Sequence, residues 1–135
     1  MSWNKGVNAN NWAVYTETIS LNTAATDQSS SVIDFIPYGK DFHVIMTPDA
    51  TLATTCPVDI DMCDSSTGTF WELCTTSLSL AAGAAAATRD LIDNSAKGQA
   101  PYYKLRIDKP AAIKTATGGN VVVKVLVPLK NGIVY

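Results

Sequence analysis

The chain has 135 residues, of which 47% are hydrophobic and only 16% charged, with a net charge of −2. That is the length of one domain, able to bury roughly two-thirds of its extended-chain surface without disulfide or metal staples. Such apolar content with so little net charge excludes a disordered chain, and no run reaches the ~18 apolar residues of a membrane span.

Residues 1–14 show neither a helical nor a strand period. They carry Trp3 and Trp12 among Asn4, Asn8, Asn10 and Asn11 and read as an N-terminal arm. Met1 to Gly6 lacks a basic stretch followed by an apolar run, so no signal peptide is expected and folding in a cytoplasm is. The domain proper is expected over 15–127. Its first two strands are weak: Tyr15 to Leu21, with Ile19 and Leu21 on one face, and Ser31 to Ile36, with Ile33 and Phe35 together. Between them Asp27-Gln28-Ser29-Ser30 reads as a turn, and Pro37 to Asp41 as the next one.

The period of two then becomes clear. Phe42, Val44 and Met46 share a face, and His43 falls on the other. In Val58-Asp59-Ile60-Asp61-Met62 apolar and acidic residues alternate strictly, which places Asp59 and Asp61 on a solvated face. Turns are expected at Thr47-Pro48-Asp49 and at Asp64 to Gly68, and a strand at Thr69 to Thr75. Ala81 to Asp90 is rich in alanine, which favours helix, but the run is short and Gly83 interrupts it, so a loop is expected. Tyr103, Leu105 and Ile107 face one way, Lys104, Arg106 and Asp108 the other. Thr117-Gly118-Gly119-Asn120 reads as a hairpin turn. Val121 to Val127 is apolar on nearly both faces, which is expected of a central strand or of one covered by a neighbour. Pro128 to Tyr135 reads as a C-terminal tail. About eight short antiparallel strands at this spacing predict an all-β domain, a β-sandwich or jelly roll. The 15 Thr and 10 Ser suit strands and turns respectively.

Chemistry-bearing groups are sparse. The three cysteines, Cys56, Cys63 and Cys74, have no Cys-x-x-Cys spacing and no nearby histidine, and read as buried thiols rather than zinc ligands or a disulfide framework. His43, the only histidine, has no nucleophile beside it in sequence. Asp59, Asp61 and Asp64 are the best candidate for a cation, but no downstream glutamate stands at calcium-loop spacing. The sole glutamates, Glu17 and Glu72, lie in strands with ordinary flanks. No catalytic residue, metal site or cofactor is expected. Charge is divided along the chain: residues 1–96 carry a net −8 and residues 97–135 a net +6. Pairing within the domain, pairing between subunits and contact with an acidic surface all fit that split. The cations are spread singly along strands, not clustered with aromatics, so a nucleic-acid partner is not expected.

The order of segments resembles the small cement, or decoration, proteins of tailed-phage capsids. The residues that carry the resemblance are Val32-Ile33-Asp34-Phe35, then Val58 to Ser65 with Thr69-Phe70. Pro101 to Ile107 follows, and Gly118-Gly119 leading into Val121 to Val127 ends the series. Together they span roughly 31–127, while the alanine-rich segment, the cysteines and the long arm depart from the family. The resemblance implies a jelly-roll homotrimer on the outer capsid surface of a virion, clamping major capsid protein subunits. Trp3, Trp12 and Tyr135 are then the expected partner-binding residues, large rigid side chains of the kind that anchor interfaces. The competing expectation is that the arms fold back on their own domain. A carbohydrate- or receptor-binding sandwich, as in a phage tail fibre, is the alternative, with Trp71, Tyr102 and Tyr38 as its aromatic candidates.

Overall fold

Each strand with alternating polarity has one face that must leave water, and two such sheets satisfy this by closing on each other. The computed structural model describes residues 3–7, 12–21, 28–36, 41–49, 55–81, 83, 85–92, 101–108, 119–130 and 133–134, with backbone alone for 72–77, 129–130 and 133–134. Among these residues there is no helix. The strands are β1 (Asn4–Val7), β2 (Trp12–Ser20), β3 (Gln28–Ser29), β4 (Phe42–Pro48), β5 (Cys56–Cys63), β6 (Trp71–Leu80), β7 (Thr88–Ile92), β8 (Tyr102–Ile107), β9 (Asn120–Lys130) and β10 (Ile133–Val134).

One sheet runs β1-β2-β9-β4-β7, with β10 turned back on the end of β9, and the other runs β3-β8-β5-β6. All pairings are antiparallel. β2 pairs with β9, β3 with β8, β4 with β7 and β5 with β6. Successive pairs alternate between the sheets, so the chain winds as one long antiparallel ribbon folded over on itself. That is a jelly roll, and the expected all-β sandwich is the fold of this protein.

The core lies between the inner faces. Ala13, Tyr15 and Ile19 of β2, Phe42, Val44 and Met46 of β4 and four valines of β9 (121, 123, 125 and 127) meet Val58, Ile60, Leu78, Leu80, Tyr103, Leu105 and Ile107 of the facing sheet. β9 sits between β2 and β4 and buries its odd-numbered valines, while Val122 and Lys124 on its other face are exposed and Leu126 half-buried. Each valine withdrawn from water there contributes roughly 1.5–2 kcal/mol.

Several local expectations change. The first fourteen residues are not simply an arm: Asn4–Val7 pairs with residues 13–16 as an edge strand, and β2 already begins at Trp12. The Asn-rich composition hid this, because an edge strand open on both faces has no apolar alternation to reveal it; all four β1 residues are exposed. The expected C-terminal tail likewise starts as strand, since β9 continues to Lys130 and β10 pairs with it. Gln28–Ser29, expected in a turn, pairs with β8, whereas the expected strand 31–36 is reduced to a single bridge between Ile33 and Tyr103. Pro48, placed in a turn, ends β4 instead. Gly119 does not close a hairpin, because β8 and β9 belong to different sheets. Its φ of 79° is open to glycine at little cost, and its carbonyl accepts the Leu21 N–H at 2.8 Å, tying the crossing to the end of β2. The alanine-rich segment is non-helical at its described positions and leads into β7, a strand whose short, mixed sequence Thr-Arg-Asp-Leu-Ile announces nothing. The expected turn at 37–40 lies outside the described residues.

Candidate interaction surfaces

Three places hold the side chains that sequence singled out. The first is the seam where the N-terminal segment meets the sandwich. Tyr15 points inward from β2 and stacks on Phe35, with ring centroids 3.5 Å apart and planes 9° from parallel. Trp3 meets the edge of Phe35 at 5.8 Å, and its Nε1 donates to the Ser31 carbonyl at 3.2 Å. Ser31 is held from the other side too: its backbone N–H and its hydroxyl both donate to the Glu17 carboxylate. Glu17 is only 3% exposed, and those two charge-assisted bonds are what make its burial tolerable. Lys5 lies 5.9 Å from the Tyr15 ring centre, a further tie between β1 and β2. Trp3, expected to reach a partner, is therefore used inside its own domain. The reason is geometric: β1 returns alongside β2 and carries Trp3 to the Ser31 turn.

The second place is the outward face of the β1-β2-β9-β4-β7 sheet. Trp12 stands there half-buried, its ring edge-on to His43 at 5.5 Å, with planes 67° apart. Register places Val14 beside Leu126, Leu126 beside His43 and His43 beside Leu91, so these four form one row across four strands. His43 thus faces outward as its alternation predicts, packed on an indole rather than beside a nucleophile.

The third is the outward face of the other sheet. Asp59 and Asp61, expected in solvent, are 7% and 5% exposed. Arg106, on the neighbouring β8, donates hydrogen bonds to Asp59 at 3.1 Å and Asp108 at 2.9 Å. It forms an ion pair with Asp61 at 3.3 Å, in which the buried Oδ1 of Asp61 accepts no hydrogen bond among the described residues. Burial works against the guanidinium charge, but the hydrogen bond to Asp59 and the charges of Asp61 and Asp108 outweigh it and hold Arg106 above its ordinary value. Such a cluster is tolerable only because the fork of the guanidinium reaches all three carboxylates. Asp64 is not part of it: it opens the turn beyond β5, exposed, with the Cys63 thiol donating to it at 3.6 Å. No group of three metal-binding side chains is assembled among the described residues. The turn packs tightly on Cys63, for a Cβ at Gly68 would lie 2.8 Å from its sulfur. Cys56 and Cys63 are buried thiols outside any disulfide, and the Cys74 side chain lies outside those described. Nearby, the Lys104 ammonium sits 4.6 Å from the centre of the Phe70 ring.

Of the expected aromatic contacts, Trp71 is 61% exposed at the start of β6, and Tyr102 is half-buried on the far side of β5 from it. Tyr135 and Tyr38 lie outside the described residues. Reading the sequence missed Glu17, Ser31 and Arg106 as organising residues. The one available signal was the charge split, since Arg106 from the basic end neutralises Asp59 and Asp61 from the acidic part. The chain matches no protein-family model and no curated protein.

Proposed function

We propose that this is a non-enzymatic capsid cement (decoration) protein that binds the major capsid protein lattice on the outer surface of a tailed-phage virion, as a homotrimer. The observation that carries the reading is the ordered series of segments resembling that family, of which 58–63, 102–107 and 121–127 fall in β5, β8 and β9. These are interior strands of the two sheets, where spacing is constrained by pairing. The jelly roll adds support by analogy of fold alone, since viral capsid proteins use it widely. A binding role also fits how the titratable groups are used. His43 packs against Trp12, and Asp59, Asp61 and Asp108 are engaged by Arg106.

The test is reconstitution. Capsid shells stripped of this protein are mixed with the purified chain, and occupancy is read by co-sedimentation and electron microscopy. Saturable binding at symmetry-related positions, with shells made more resistant to heat, is the expected result. Failure to bind such shells would remove the reading.

The exposed Trp71 favours one second reading, a carbohydrate-binding module, because jelly rolls also serve as lectins and sugars stack on open indole faces. Specific hits on a glycan array that vanish in Trp71→Ala would establish it in place of the first.

A further inference from the structure

We infer that the outward face of the β1-β2-β9-β4-β7 sheet is the docking surface, and that it seats a patch of capsid subunit with an apolar side chain flanked by carboxylates. The inference rests on the capsid-binding reading and relocates the contact from the arm to the sheet. Trp3, the natural anchor of an arm, is occupied by Ser31 and Phe35. The row Val14, Leu126, His43 and Leu91 crosses the sheet, and every member keeps part of its surface in water, Leu91 as much as 47%. Trp12 stands beside that row on the same face, edge-on to His43. A sheet face with polar alternation would have put Ser or Thr at these positions. Two rows further along threonines do appear, Thr18 and Thr47 on either side of the exposed Val122.

The charge pattern selects the occupant. In the row next to the apolar one, register aligns Thr16, Lys124, Ile45 and Arg89, which brings two cations onto the face. Lys124 and Arg89 are both exposed, and no Asp or Glu stands among the described strand residues of this face. Two copies meeting through this face would set these cations against each other, with no carboxylate among the described strand residues of either face to relieve them. A partner with an apolar centre and an acidic rim has neither problem, and the cations add orientation and salt-sensitive attraction.

The experiment compares shell binding of the full chain with that of Leu91→Asp, the charge reversals Arg89→Glu and Lys124→Glu, and Ser79→Glu on the opposite sheet as control. All four positions are exposed, so folding is retained, and thermal melts check this. Leu91→Asp is expected to weaken binding by roughly tenfold or more, the loss typical of an anchor at an interface centre. The two reversals are expected to slow association and flatten its salt dependence, while Ser79→Glu binds as the unmodified chain does. If the unmodified chain binds shells but the three face variants bind equally well, the docking face is elsewhere and the inference fails alone. If the face variants change sedimentation of the free protein instead, the face is covered by a second copy and the inference is overturned. If the unmodified chain does not bind shells at all, the capsid reading itself falls.

Discussion

Arg106 and Trp3 show how much a single side chain can organise when the chain brings distant groups to it. Arg106 is the common partner of Asp59, Asp61 and Asp108, and removing it leaves carboxylates on a face they could not otherwise occupy. Arg106→Met is expected to destabilise the domain by about 2 kcal/mol, between the ~1 kcal/mol ceiling of exposed ion pairs and the ~3–5 kcal/mol cost of orphaning a buried one. Urea denaturation measures it. Neutralising Asp59 and Asp61 to Asn in the same chain should recover part of the loss, because the cost lies in the uncompensated charges; no recovery would show that Arg106 acts by packing alone. Trp3 joins a ring contact to a hydrogen bond, each worth roughly 1 kcal/mol. Trp3→Ala should therefore lower stability by about 2 kcal/mol, and Trp3→Phe, which keeps a ring but not the donor, by about half of that. Equal stability of Trp3→Ala and the parent would mean that the seam contributes nothing.

Among the elements, β1 and β9 mark the two extremes of what a strand contributes. β9 is buried along one face and paired on both sides, so Val125→Thr, which keeps the shape but sinks a hydroxyl among valines, is expected to cost about 1–3 kcal/mol. β1 is an edge strand exposed throughout, yet it carries Trp3 and Lys5 to their partners. Deleting residues 1–8 removes the strand and the seam together. The melting temperature should then fall by several degrees, at roughly 3 °C per kcal/mol for a domain of this size. An unchanged melting temperature would return these residues to the status of a dispensable arm. The edge exposed on β2 by that deletion is itself a site for unwanted pairing, so the truncated chain should also aggregate more readily on heating.

The molecule as a whole is a ribbon closed by contacts between distant parts of the chain, β2 with β9 above all. Folding must bring the two ends of the domain together before that pair is rewarded. Refolding is accordingly expected on the millisecond-to-second scale or slower, as in other sandwiches. Stopped-flow tryptophan fluorescence measures it, and a microsecond phase of full amplitude would contradict the topology. Quaternary structure follows from the proposed function: sedimentation of the purified protein should give a trimer, and a stable monomer at micromolar concentration would count against it.

Much of this architecture was written locally. A period of two in 42–46, 58–62 and 103–107 commits those segments to strands and names their buried face, because alternation is a property of neighbours in sequence. The all-β class follows from it, whereas the continuous apolar run of 121–127 leaves open whether β9 is central or covered by a neighbour, and pairing with β2 and β4 makes it central. The character of the first fourteen residues did not, nor that of β7: an edge strand carries no apolar stripe, and its pairing is supplied by the strand beside it. The candidate surfaces were the least legible part. Asp59 and Asp61 read as solvated because alternation tells which face a residue is on and not what arrives over that face. Trp3 read as a free anchor for the same reason, since Ser31 and Phe35 come to it from about thirty residues away. Likewise the row of Val14, Leu126, His43 and Leu91 is assembled from four strands whose order is non-local. Strand identity and inner face are therefore encoded residue by residue, while register, covering partners and the shape of every surface arise only when the ribbon closes and distant side chains meet.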